Sequence, residues 1–400
     1  MSIQATIKAI QNIMRKDESV TGDGQRIEQL VWLLFLKIFD DQERQHELID
    51  PKYKSPLPEN LRWRNWATNA EGMTGDELLE FIEDLTKKLK DLPANSANPR
   101  TFIIREVFRD IHNYMRSGTL IRQVINKINE IDFNKKEDRH LLNDIYEQIL
   151  RELQSAGNYG EFYTPRPITH FVVEMVNPKL GEKILDPACW TGGFLVSALD
   201  YIRQSGEVKT AKDEQKLQNS VNGTELKPLA YLLAITNMIL HGIEEPTNIK
   251  RGDSLSRPLR DIGPGERVDI IVANPPFGGQ VKDGTEANFP QNFRTKATAD
   301  LFLILFIHLL KSGGRAGIVL PDGSLFGDGV TAKIKERLLE ECNLHTIVRL
   351  PPGVFSPYAG VNTNLLFFEK GKPTKDVWYY QMPLPEGMKQ YTKNRGITDA

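Results

Sequence analysis

The stretch Asn274-Pro275-Pro276-Phe277 carries the plainest chemical signal in the chain. It follows the apolar run Val268–Ala273 and precedes Gly278-Gly279, so a buried strand runs directly into a stiff turn. Each proline fixes its own φ and offers a carbonyl without an N–H, and the residue before a proline is pushed into extended backbone. A carboxamide, a bare carbonyl and an aromatic ring are thereby held at the carboxyl end of a strand, where open α/β sheets place their ligands. That set suits a planar group bearing an NH2. The Asn274 amide oxygen and the Pro275 carbonyl accept from the amine, and Phe277 stacks on the ring. A Pro-Pro turn alone would be explained by structure; the asparagine before it and the phenylalanine after it point to chemistry.

Three further strand ends add carboxylates. Residues 183–194 read as a strand, a small-residue turn and a helix, with Asp186 at the strand end and Gly192-Gly193 before the helix, so that backbone can approach a ligand beside a helix N-terminus. Gly223-Thr224-Glu225 closes the next strand and puts Glu225 where α/β nucleotide sites bind ribose hydroxyls. Arg251-Gly252-Asp253-Ser254-Leu255 closes a third, with Asp253 an acceptor for the amino group of an adenine ring. Singly, each acid is explained equally well as a turn or cap residue. Asp186, Glu225 and Asp253 at successive strand ends, followed by the Asn-Pro-Pro-Phe strand, favour one composite site.

The elements that must position these residues alternate. Beyond residue 157, apolar runs at 183–188, 220–226, 248–252, Val268–Ala273, 315–320, 345–350 and 363–369 are separated by helical stretches. This pattern predicts a mostly parallel sheet covered on both faces. The last two runs are joined by a segment too short for a good helix, which predicts an antiparallel hairpin at one edge. The polar run 205–218 reads as an insertion or a solvated helix end, and the Pro-, Lys- and Tyr-rich stretch after Lys370 shows no period.

Upstream the reading is all helical. Helices are expected at 25–45, after a Thr74/Glu77 capping box, and near 101–117, 120–128 and 136–154. The Arg62-Trp63-Arg64-Asn65-Trp66 run is either a stacking grip for nucleic acid or surface arginine over core tryptophan, and the second reading is favoured. The small, flexible run 155–160 marks the boundary between a helical domain (1–155) and the sheet domain (156–372), with 373–400 the start of a C-terminal tail. Four hundred residues, 26% of them charged, fit a two- or three-domain globular protein. No run reaches the length of a membrane span and no signal-peptide core is present, so a cytoplasmic protein is expected. Two cysteines and seven scattered histidines give neither a disulfide framework nor a metal site. A net charge of −2 excludes a uniformly basic nucleic-acid wrapper.

With these residues in view, the chain resembles the modification (methyltransferase) subunit of type I restriction-modification systems, among the N6-adenine DNA methyltransferases. The resemblance spans nearly the whole sequence. It implies a Rossmann-like S-adenosylmethionine-dependent methyltransferase sheet behind a helical N-terminal domain that contacts DNA and partners. It also implies site residues. Glu161, Phe162, Tyr163, Thr164, Pro165 and Arg166 look like the segment that packs over the methionine end of S-adenosylmethionine. Asp186, Ala188, Thr191, Gly192, Gly193 and Phe194 look like the glycine-rich loop, Glu225 like the ribose ligand, and Asp253, Ser254 and Leu255 like the adenine-reading segment. Asn274, Pro275, Pro276 and Phe277 look like the catalytic motif. The implied partners are double-stranded DNA, a DNA-specificity subunit, a motor and nuclease subunit and a second methyltransferase copy. The family also implies a longer C-terminal tail, so the chain reads as truncated after residue 400.

One residue departs from the family pattern. Trp190 stands where glycine is usual, at a position suited to positive φ, and its indole either fills cofactor space or points away. On the first reading Trp190→Gly tightens cofactor binding, and the chain as it stands is a non-catalytic assembly subunit. A further alternative is methylation of another amine, such as a protein glutamine or cytosine. The loop 278–299, with Lys282, Arg294 and Lys296, either orders over the DNA backbone or stays a solvated loop.

Overall fold

In the computed structural model the described residues are 3–93, 99–131, 164–277, 279–356, 361–392 and 395–398. By contacts the described chain divides into two compact units, one holding the residues up to 131 with the short segment Gly242–Thr247, the other the remainder. The expected helix 136–154 and boundary 155–160 lie outside the described residues.

The first unit is helical. Ile3–Met14, Asp23–Ile49, Gly75–Lys90, Pro99–Phe108 and Gly118–Asn129 are its longer helices. Helix Asp23–Ile49 is the core element, because Leu30 to Leu36 are buried without a break and a helix apolar all round must be covered all round. Trp63 and Trp66 are buried, with the Trp63 indole N–H donating to Asn129 Oδ1 at 2.8 Å, while Arg64 Nε meets Asp40 Oδ1 at 3.0 Å. The tryptophans therefore belong to the core and the arginine to an ion pair, as the favoured reading had it.

Two helix expectations need correction. Thr74 caps nothing with its side chain, since Gly75 enters the helix at φ 57 and turns the hydroxyl away. The helix expected over 101–117 stops at Phe108. Beyond it, side-chain acceptors take the backbone donors that a helix would need: Gln29 Oε1 binds Tyr114 N, and Asp17 Oδ2 binds Arg116 N and Ser117 N, each at 2.9 Å.

The second unit is built on an eight-stranded sheet in the order β3-β2-β1-β4-β5-β7-β6-β8. Its strands are β1 Ile184–Asp186, β2 Val221–Glu225, β3 Ile249–Arg251, β4 Val268–Ala273, β5 Leu310–Pro321, β6 Cys342–Arg349, β7 Thr363–Lys370 and β8 Trp378–Gln381. β1 to β5 run parallel, and β7 is antiparallel to both β5 and β6. Helices Gly193–Gln204, Pro228–Leu240 and Thr298–Leu309 cover the sheet and supply its crossovers. β4 has five of its six residues buried, as a strand covered on both faces must. The chain runs from β1 outward to β2 and β3, then returns to β4 on the other side of β1, so the carboxyl ends of β1 and β4 border the crevice where such sheets bind ligands.

The antiparallel hairpin of β6 and β7 is present, and β8 adds a parallel strand outside it. No periodicity announced β8, because all four of its residues are exposed and its pairing is to β6 alone. The polar run 205–218 becomes a short helix, Ala211–Gln218, with a capping box between Thr210 and Asp213. Among the described residues no helix is long and apolar enough to cross a membrane, and no group of His, Cys, Asp or Glu could hold a metal ion.

Candidate functional site

The β1 turn is built from backbone donors finding buried carboxylates. Asp186 is 1% exposed and its Oδ1 accepts from Ala188 N at 3.0 Å, folding the chain back immediately after the strand. Cys189 N donates to the Thr224 carbonyl at 3.1 Å, Trp190 N to Glu225 Oε2 at 2.9 Å, and Lys227 N to Glu225 Oε1 at 2.7 Å. Glu225 thus ties the turn after β1 to the turn after β2. On the other side Asn237 Nδ2 holds the Thr191 carbonyl at 2.8 Å. Gly192 then takes φ 78 with Met238 packed where a Cβ would stand, and the helix begins at Gly193.

Burial makes these groups hold their protons more tightly. Asp186 is pushed well above the ordinary carboxylate range, first by desolvation, with the Ala188 N–H working against it and the Glu225 charge adding to it. Glu225 is raised by desolvation, partly offset by the N–H groups of Lys227 and Trp190. The Cys189 thiol is likewise pushed up by burial and stays a neutral packing group.

Beyond the ends of β1, β2 and β4 lies a cavity of about 340 Å³. Ala188, Glu225, Asp253, Ser254, Leu255, Asn274 and Pro276, all expected at the site, line it. Asp253 Oδ1 accepts from Leu255 N at 2.9 Å, and Ser254 Oγ donates to the Pro187 carbonyl at 2.6 Å, so the turn after β3 is locked to the turn after β1. Asn274 is 9% exposed. Its Nδ2 donates to Thr164 Oγ1 at 2.9 Å, while its Oδ1 is buried without a hydrogen-bond partner. The amide is thus pinned at nitrogen with an unused acceptor, and leaving such an oxygen unpaired costs about 1–3 kcal/mol.

Several expected residues do not reach the cavity. Asp186, Thr191, Gly192, Gly193 and Phe194 are not in its wall; Asp186, Thr191 and Phe194 are buried and Gly192 makes the turn at φ 78. Pro165 and Arg166 start helix Arg166–Val176, and Arg166 Nη1 donates to the Gly193 carbonyl at 3.2 Å, bracing the loop from behind. Thr164 is not in the wall but accepts from Asn274, and Pro275 is buried off the wall. Phe277 is half-buried outside the cavity, edge-on to Phe355 at 5.8 Å between ring centres. Glu161, Phe162 and Tyr163 lie outside the described residues.

The wall contains residues that motif reading passed over. Thr224, Leu226 and Lys227 flank Glu225 and follow from its position; Gly279, Gln280, Val281 and Lys282 do not. The loop they open is anchored: Val281 N donates to Lys296 O at 3.0 Å, Thr298 Oγ1 to Gly279 O at 2.8 Å, and Phe289 and Phe293 are buried in the core. Of its cations, Lys296 pairs with Asp283 at 2.7 Å and Arg294 Nε donates to the Phe289 carbonyl, leaving Lys282 at the cavity. Trp190 is also in the wall, at φ 43.

Comparison with known proteins places this architecture. Residues 137–400 match the family described as N-6 DNA Methylase, and residues 3–128 match the HsdM N-terminal domain. The chain is 57% identical over 397 residues to the EcoEI type I restriction enzyme methylase subunit of Escherichia coli, covering 99% of this chain and 80% of that relative. It is 29% identical over 396 residues to the EcoKI methylase subunit of Escherichia coli K12, covering 93% and 70%. Among solved structures it resembles the modification subunit of a proposed type I restriction enzyme from Vibrio vulnificus YJ016, at 44% identity and a TM-score of 0.89, covering all of this chain and 87% of the other. A chain from a study of complex assembly and conformational transition of the type I R-M system gives 40% identity and a TM-score of 0.87, covering all of this chain and 80% of the other.

Proposed function

Because the chain belongs to the N-6 DNA methylase family, as a methylase subunit of a type I restriction enzyme, we propose that its cavity holds S-adenosylmethionine and that Asn274 receives the target adenine. The activity is transfer of a methyl group to adenine N6 in double-stranded DNA. The observation that carries the site assignment is the buried, unpartnered Oδ1 of Asn274 on the cavity wall.

The residues present fit the cofactor. Glu225 keeps lone pairs for ribose hydroxyls after accepting its two backbone N–H groups, and Asp253 offers an acceptor to an adenine amino group. When bound, S-adenosylmethionine supplies an electrophilic methyl group on sulfonium. Adenine N6 is a poor nucleophile because its lone pair is conjugated with the ring. Asn274 Oδ1 and the Pro275 carbonyl accept its two N–H bonds, favour the pyramidal amine and stabilise the positive charge that develops on nitrogen. Thr164 fixes the amide so that oxygen, not nitrogen, faces the amine. No strong base is needed, and positioning supplies most of the rate. A base inside a duplex cannot reach such a site, so it is flipped out, and Phe277, braced by Phe355, offers it an aromatic face.

Sequence choice belongs to a DNA-specificity subunit, and the working assembly includes a second methylase copy and a motor and nuclease subunit. A cavity of about 340 Å³ persists with Trp190 in its wall, which favours this catalytic reading over an assembly-only role. The test is transfer from methyl-labelled cofactor to DNA by the chain assembled with its specificity subunit, followed by nucleoside analysis. Label in N6-methyladenine is expected; label in cytosine or in protein overturns the substrate.

A further inference from the structure

Trp190 and Asn177 are the non-glycine residues with positive φ among the described residues. Asn177, at φ 48, is the C-cap of a helix, where asparagine is ordinary. Trp190, at φ 43, has no such account, since a residue bearing a Cβ is disfavoured there. The bond its backbone makes, N–H to Glu225 Oε2 at 2.9 Å, would be made as well by glycine. The backbone therefore does not explain the tryptophan. The residue is 7% exposed and lies in the cavity wall, where an indole brings bulk that glycine would not. At about 340 Å³ the cavity is small for a ligand site, whose usual range is roughly 300–1,000 Å³.

We propose that Trp190 is a specificity-determining residue, whose indole is the wall that fits this cavity to an unsubstituted S-adenosyl ligand and excludes ligands enlarged at the ribose. The proposal rests on reading the cavity as the cofactor site. The ribose is the part concerned because Trp190 is joined through its N–H to Glu225, the proposed ribose ligand. Strain in the Trp190 backbone is present with and without ligand and cancels from affinity. The structure thus changes what Trp190→Gly is expected to do: selectivity falls, and affinity for the parent ligand does not tighten.

The experiment is calorimetric titration of the full chain with S-adenosylhomocysteine and with its ribose 3′-O-benzyl derivative. The wild-type chain should prefer the parent by more than about tenfold, the scale on which apolar pockets reject added bulk. Trp190→Gly and Trp190→Ala should both reduce that preference by about tenfold or more, with S-adenosylhomocysteine itself bound more weakly as the packing of the ring is lost. Trp190→Phe, which keeps a ring at the wall, should fall between and serves if the smaller variants do not fold. An unchanged preference in the variants, or a wild-type chain that accepts both ligands equally, overturns the wall. Failure of the wild-type chain to bind S-adenosylhomocysteine instead overturns the cofactor reading beneath it.

Discussion

The two units put buried polarity to different uses. In the helical unit it ties segments of the fold together: Arg100 Nε sits 2.8 Å from Glu43 Oε1, Arg64 pairs with Asp40 and Glu47, Arg122 donates to the carbonyls of Trp66, Ala67, Asn69 and Met73, and Asp17 accepts from the backbone N–H groups of Arg116 and Ser117. In the sheet unit, Asp186 and Glu225 are held by backbone N–H groups, and Asn274 Oδ1 is held by nothing. The first arrangement joins segments of the fold to one another, with Glu43 Oε2 left unpaired beside its ion pair. The second puts Glu225 and Asn274 in a cavity wall, which is what binding and catalysis need.

Breaking the helical side should have the largest effect. Arg100→Ala strands Glu43, which is fully buried, and should cost about 3–5 kcal/mol in denaturant unfolding of the helical unit. On the site side, Glu225→Gln replaces one acceptor by an NH2 facing a backbone N–H. It should weaken S-adenosylhomocysteine binding by about 1–3 kcal/mol in calorimetry, with the sheet intact by circular dichroism.

The pH dependence sharpens the same contrast. Asp186 and Glu225 are raised, so the folded chain holds their protons more tightly than the unfolded chain. Their contribution to stability is therefore greatest at low pH and is lost as pH rises from the ordinary values of 3.8 and 4.5 through the raised ones. Ribose hydroxyls favour the ionised Glu225, so affinity should rise through that window while stability falls, and Glu225→Gln should flatten the affinity profile. Smallest of all is a backbone effect at the same turn. Trp190→Gly should be more stable than Trp190→Ala by about 1 kcal/mol in thermal unfolding, the reverse of the usual order, because φ 43 penalises a Cβ.

Much of the sheet was legible because its signals are local. β4 runs Val268–Ala273 as its apolar run predicts, and β1, β2 and β3 end at or beside the acids that marked them. What escaped notice depended on distant partners. β8 is exposed and exists because β6 offers it an edge, and helix Pro99–Phe108 ends early because Asp17 and Gln29 reach in from elsewhere. The same division holds at the site. Glu225 and Asn274 stand out by type and place, whereas Gln280 to Lys282 reach the cavity because Phe289 and Phe293 anchor their loop, a fact that no short motif records.

Catalysis is proposed to depend on Asn274 Oδ1, and removal of that atom isolates its part in the reaction. The chain assembled with its specificity subunit on target DNA is compared as wild type and Asn274→Ala in single-turnover methyl transfer. S-adenosylhomocysteine affinity and melting temperature are read on the same samples. The account predicts a fall in the methyl-transfer rate of roughly 10²–10³-fold or more, as for loss of one preorganised charge-stabilising group, with affinity and melting temperature close to wild type. Methyl transfer at the wild-type rate by Asn274→Ala would contradict it.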